Sequence, residues 1–195
     1  MTKKIILGGI VAGVLIFIWS SLAHTVLPIG AMGISTTANE DAVLATLRAN
    51  LSGPGFYFIP GHQIMQMEQA SGSDRQRLMD DWQTKYGGGP WATMVYHPSG
   101  ASLMEPRQLV GEFLSDLVAG LILAFALLMA ATRVRSFIGR VVFVLLLGLL
   151  PWIIVDFSNW NWYGLPFKYE IGQLLDQGIG AALAGVALAW IYRKD

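Results

Sequence analysis

The stretch QLVGEFLSDLVAGLILAFALLMAATRVRSFIGRVVFVLLLGLLPWIIV, residues 108–155, decides the fold. Two apolar runs, Gln108–Thr132 and Phe137–Val155, flank the short cationic turn Arg133-Val134-Arg135-Ser136. A helix rising about 1.5 Å per residue needs about 20 apolar residues to cross about 30 Å of hydrocarbon, and each run comes close to that length. So short a connection makes the pair antiparallel. Two further runs, Ile5–Leu27 and Tyr169–Tyr192, complete a set of four. The expected architecture is an α-helical integral membrane protein, a four-helix transmembrane bundle with a small α+β domain inserted between the first and second spans.

Composition agrees with that class. Hydrophobic residues make up 54% of the 195-residue chain and charged residues 13%, against roughly 25% charged in an ordinary soluble domain. So little charge cannot coat a water-facing surface of this length, and the apolar excess calls for lipid. Lys3 and Lys4 followed by an apolar run and Ser21-Leu22-Ala23 have the look of a cleaved signal peptide, but the run exceeds a usual signal core and reads as an uncleaved anchor.

Cation placement sets the expected sidedness. Lys3, Lys4, Arg133, Arg135, Arg140, Arg193 and Lys194 fall on one side of a four-pass layout together with the single acid Asp195, and that side reads as the cytoplasm. The remaining acids face six cations on the other side, so the formal net charge of zero hides two faces of opposite sign. The expected segments are 1–27, first span; 28–107, extracytoplasmic domain; 108–132, second span; 133–136, cytoplasmic loop; 137–155, third span; 156–168, outer loop; 169–192, fourth span; and 193–195, cytoplasmic tail.

Within 28–107, Thr37-Ala38-Asn39-Glu40 fits a capping box opening a helix to about Asn50, and Gly53-Pro54-Gly55 stops it. Phe56–Ile59 reads as a strand. Ser73-Asp74 caps a helix to about Tyr86, Gly87-Gly88-Gly89-Pro90 ends it, and Trp91–His97 reads as a second strand. A domain of this size has a marginal core and is expected to rest on the spans or on a partner.

Small residues recur at helical spacing, with Gly9 and Gly13, Gly120 and Ala124, Gly178 and Ala182, and Ala181, Gly185 and Ala189. They predict seams where helix backbones approach closely, within the bundle or against another subunit. Trp19, Trp152, Trp160, Trp162 and Tyr163 are expected near the outer boundary, and Trp190 and Tyr192 near the inner one.

Depth singles out a group of acids. Arg133 back to Asp116 is 17 positions, Arg140 forward to Asp156 is 16 and Arg193 back to Asp176 is 17, which sets all three carboxylates roughly 25 Å above the inner boundary. The same count from Lys4 reaches Ser20 and Ser21, with His24 a turn beyond, while Glu112 and Glu170 stand above Asp116 and Asp176. Carboxylates cost free energy inside a membrane, so Asp116, Asp156, Asp176, Glu112, Glu170 and His24 form the candidate ion- or ligand-binding set. The alternative is structural: at helix N-termini Glu112, Asp116, Glu170 and Asp176 meet a favourable dipole and could pair with Arg107 or Lys168, whereas Asp156 closes its helix, where the dipole disfavours an anion.

His62, Met65 and Met67, with His97 on the later strand, offer soft ligands suited to copper outside the cytosol; the bland reading makes the methionines core filler. His24 with Ser21, three apart on one helix face, is the one base–nucleophile pair an enzyme acting at the rim could use. There is no phosphate loop, nucleotide fingerprint, His-Glu-x-x-His or Gly-x-Ser-x-Gly, no cysteine, and no basic–aromatic face for nucleic acid.

The segments WNWYGLP, Trp160–Pro166, and YHPSG, Tyr96–Gly100, with the Gly-rich first helix, resemble small bacterial inner-membrane proteins of similar length. The resemblance implies a bacterial origin and brings no site residue with it. The layout is also similar to claudin-type and tetraspanin-type proteins, whose defining disulfides a cysteine-free chain cannot form. The leading expectation is an accessory or assembly subunit of a larger membrane complex, in contact with the lipid bilayer and with other membrane subunits or a second copy. The alternative is a small transporter or an ion- or ligand-sensing protein built on the acids.

Overall fold

The computed structural model describes residues 2–193, apart from the side chains of His62 and Gln63. The chain divides into a helical unit, Met1–Ser35 with Ser102–Asp195, and an inserted unit, Thr36–Ala101. The tail residues Lys194 and Asp195 lie outside the described residues.

In chain order the elements are α1 (Thr2–Thr25), α2 (Glu40–Asn50), β1 (Gly55–Ile59), α3 (His62–Gln69), α4 (Gly72–Gly88), β2 (Ala92–Tyr96), α5 (Pro106–Ala130), α6 (Phe137–Gly148), a π-helical turn (Trp152–Asp156), α7 (Phe157–Tyr163) and α8 (Phe167–Ile191). Four helices are long and apolar enough to cross a membrane: α1, α5, α8 and the continuous helix Phe137–Tyr163 that joins α6 to α7.

That continuity corrects the expected third boundary. Asp156 does not close a helix. Pro151 brings no N–H to the ladder, and the chain answers with a widened turn in which the Phe157 N–H donates to the Trp152 carbonyl five residues back. The helix then runs on to a left-handed stop at Gly164. The dipole penalty assigned to Asp156 therefore falls away.

Helix α1 packs along α5 and α8, and α8 along α6. Glycine makes these approaches possible. A Cβ on Gly13 would lie 2.7 Å from the Asp116 carbonyl and from the Leu117 Cα, both backbone atoms of α5, and Gly120 meets Gly9 and Gly13 in turn. Gly148 faces Ala181, and Gly185 faces Val141 and Val144. The seams thus lie inside the unit. At the end that holds the α5–α6 turn, Ala12, Leu123, Ala124, Leu127, Val144, Ala184, Leu188 and Tyr192 form one core cluster.

Two residues read as boundary markers are structural at that end. Arg140 is buried, and it donates from Nε to the Val134 carbonyl (2.9 Å) and from Nη1 to the Tyr192 carbonyl. A guanidinium here satisfies carbonyls that a helix C-terminus leaves without partners. Tyr192 is fully buried, not interfacial, and its hydroxyl donates to the Lys4 carbonyl at 3.1 Å, fastening α8 to the start of α1. Trp190 does stand exposed, with Arg193 over its ring at 4.4 Å.

After α1, residues 26–35 belong to the helical unit and not to the insert. Ile29 and Met32 lie against Gly172, and Gly33 (φ +76°) lies against the Tyr169 backbone, where any side chain would collide.

The inserted unit is a two-stranded antiparallel sheet with three helices. Its register pairs Phe56 with Val95, Tyr57 with Met94 and Phe58 with Thr93. The cap of α2 is Asn39, accepting from the Ala42 N–H at 3.2 Å, while Thr37 accepts from Asn39; the cap stands two residues beyond the expected one, and Glu40 opens the helix instead of closing a box. Helix α4 opens at Ser71, ahead of the expected Ser73-Asp74, and ends on Gly89 (φ +56°). Helix α3 is absent from the expected helix–strand–helix–strand order. Trp82 ties α4 to the end of β1 by donating to the Pro60 carbonyl at 2.7 Å. Met67 and Tyr96 are the buried hydrophobic side chains of this unit among the described residues.

Candidate functional site

In the helical unit Asp116, Glu170, Asp176 and Gln177 enclose polar atoms at the ends of the helices away from the α5–α6 turn. On α8, Glu170, Gln173, Asp176 and Gln177 recur at three- and four-residue steps, so one side of an otherwise apolar helix carries a polar stripe. On α5, Glu112 and Asp116 stand one turn apart.

A cleft of about 520 Å³ lies among α1, α5, α6 and α8. Ser20 lines it from α1, Glu112, Ser115 and Asp116 from α5, Pro151 beyond the end of α6, and Gln173, Asp176 and Gln177 from α8. Apolar side chains, among them Ile16, Ile122, Leu123 and Leu147, make up the rest. A second cleft of about 320 Å³ shares Ser20 and Glu112 with the first and is lined further by His24, Ser21 and Phe17. Polar groups therefore continue from one cleft into the other.

Asp116 is 9% exposed, and its Oδ2 is enclosed with no hydrogen-bond partner. Asp176 is half satisfied. Its Oδ2 lies 3.3 Å from Ser20 Oγ and 3.3 Å from His24 Nε2, while its Oδ1 is enclosed and unpartnered. The Trp19 indole donates to the Asp176 carbonyl at 3.0 Å and holds α1 against α8 at this level. Gln177 Oε1 is likewise enclosed and unpartnered; buried polar atoms are nearly always hydrogen-bonded, so three such oxygens on one cleft demand an explanation.

No family model, curated protein or solved structure matches this chain.

The structure brings Asp116, Asp176 and Glu112 to one cleft, and His24 to Asp176. Asp156 does not line the cleft. Its Oδ2 accepts from Gln177 Nε2 at 2.8 Å, so it acts on a cleft residue from behind, and the π turn sets its direction. Glu170 is 1% exposed with both carboxylate oxygens unpartnered, and it too lies outside this cleft; Trp152 donates to its backbone carbonyl at 2.7 Å. The pairing with Arg107 or Lys168 that was the structural alternative is not made among the described residues. Arg107 instead lies 4.0 Å from Glu105.

His24 turns its ring to Asp176, and no hydrogen bond joins it to Ser21 among the described residues. The residues of the copper set that the structure describes differ in exposure. Met65 and Met67 sit two apart on α3, where side chains do not face each other; Met65 is exposed and Met67 is buried. His97 is exposed, and the His62 side chain lies outside the described residues. Among the described residues no three His, Asp or Glu side chains gather as metal ligands would.

Gln173 and Gln177 were not singled out by the sequence reading. Their signal was present as the Glu170-x-x-Gln173-x-x-Asp176-Gln177 pattern, which a search for acids alone passes over.

Proposed function

We propose that this chain is a multi-pass membrane protein that binds a proton or small cation in the acidic cleft between its helices, as a transporter or sensor. One observation carries the reading: Asp116, buried in an apolar bundle, offers the cleft a carboxylate with no protein cation beside it. An anion so placed needs compensating positive charge, and with none in the wall a bound cation or proton supplies it.

In this reading the four apolar helices lie in a bacterial inner membrane, both termini and the Arg133–Arg140 turn face the cytoplasm, and residues 28–107 face outward. The cation asymmetry supports that sidedness. A chain without cysteine lends itself to labelling: a single cysteine at Ser136 should resist, and one at Ser99 accept, a membrane-impermeant thiol reagent added to intact cells.

The functional test is flux or binding in proteoliposomes. Asp116→Asn and Asp176→Asn, each shown to be monodisperse, should abolish a proton- or sodium-dependent signal that the unmodified protein gives. A signal unchanged in both variants removes the reading.

A second reading, an accessory subunit of a larger membrane complex, is favoured by the thin core of the inserted unit, where Met67 and Tyr96 are the buried hydrophobics among the described residues. It expects defined partners in fixed ratio after mild-detergent purification. A lone monodisperse protein counts against it.

A further inference from the structure

The cleft takes carboxylates from two helices, and it is large. Its volume of about 520 Å³ falls within the roughly 300–1,000 Å³ of sites that take drug-sized molecules. A desolvated sodium ion or a proton needs a small part of such a space, and a bare divalent ion needs a tight set of oxygens that does not assemble among the described residues. Most of the wall is hydrocarbon: Ile16 from α1, Ile122 and Leu123 from α5, Leu147 from α6. Apolar walls with a few converging polar groups fit a ligand that is itself part apolar.

We infer that the cleft binds an amphiphilic organic cation, its positive centre between Asp116 and Asp176 and its hydrocarbon against Ile122, Leu123 and Leu147. The inference rests on the cation-binding reading above and names its ligand class. Two independent features support it. The Asp116 side chain is nine-tenths buried with an unpartnered oxygen, so the site is built rather than a chance surface cluster. Asp176 commits one oxygen to Ser20 and His24, which fix its direction, and leaves the other unpartnered. A delocalised or alkylated cation also sheds its water at lower cost than a small ion does, which matters in a site with so few groups to replace a hydration shell.

The test uses the full chain in lipid nanodiscs, with tetraphenylphosphonium as probe, tetraphenylborate as an anion of the same shape, and protein-free nanodiscs to subtract partition into lipid. Saturable binding of tetraphenylphosphonium and none of tetraphenylborate is expected. Asp116→Asn and Asp176→Asn should each weaken it about 30-fold or more, and Asp74→Asn, an exposed acid paired with Arg77 in the inserted unit, should leave it unchanged. Two cleft variants keep the test decisive where one fails to fold. Saturable binding that survives both cleft variants overturns the inference. So does a proton or sodium signal that depends on Asp116 in a protein with no saturable tetraphenylphosphonium binding, although cation binding itself then stands. Loss of both signals removes both.

Discussion

The two ends of the helical unit treat buried polar groups in opposite ways. Where α5 turns into α6, Arg140 is buried, but its nitrogens meet the carbonyls of Val134 and Tyr192, and the Tyr192 hydroxyl meets the Lys4 carbonyl. At the other end Asp116 and Asp176 enclose oxygens that meet nothing. The first arrangement closes hydrogen bonds that the backbone itself leaves open. The second maintains an unsatisfied demand, each such group costing about 1–3 kcal/mol. The first arrangement adds stability, whereas the second fits the cation site proposed above; Glu170, outside that cleft, encloses two further unpartnered oxygens.

The comparison can be broken most severely at the seam that supports both ends. Gly13→Val sets a branched side chain where even a Cβ would meet backbone of α5, and the expected cost is about 3 kcal/mol or more, read as loss of monodisperse protein in detergent. Tolerance of this change would mean that α1 and α5 do not pack as described.

Arg140→Met should destabilise by about 2–3 kcal/mol, seen as a lower midpoint of thermal unfolding in detergent, with Arg140→Lys intermediate. At the opposite end the sign should reverse. Asp116→Leu removes an unpartnered oxygen from an apolar wall and should raise the midpoint by the equivalent of about 1–2 kcal/mol without added ligand, while abolishing cation binding. Equal destabilisation by both substitutions would erase the distinction between the ends.

The smallest effect is expected at Ser20→Ala. One hydroxyl contact to Asp176 is lost, worth about 0.5–1 kcal/mol, so stability should barely move and cation affinity should fall a few-fold. No change in affinity would detach Ser20 from the site.

Part of this site could be read before any fold was known. That Asp116 and Asp176 share a level follows from the helical rise counted from Arg133 and Arg193, a local rule that needs no tertiary contact. The same counting cannot tell which way a side chain turns around its axis. Asp156 has the same depth as the other two, yet the π turn points it to Gln177 and not into the cleft. Arg140 fails for a related reason. Beside Arg133 and Arg135 it reads as one more surface cation, and only the arrival of the end of α8 buries it.

By itself the sequence determined what is local. The four apolar helices follow from run length and hydropathy, the strands β1 and β2 from aromatic and β-branched residues bounded by glycine and proline, and the helix stop at Gly89 from the glycine run. Tertiary structure alone decided which seams meet, that Gly13 faces Gly120 and Gly148 faces Ala181, and which polar atoms end with a partner. Hydropathy and helical rise are properties of one segment. Satisfaction of a buried oxygen is a property of whatever other segment comes to lie within three ångströms or so of it.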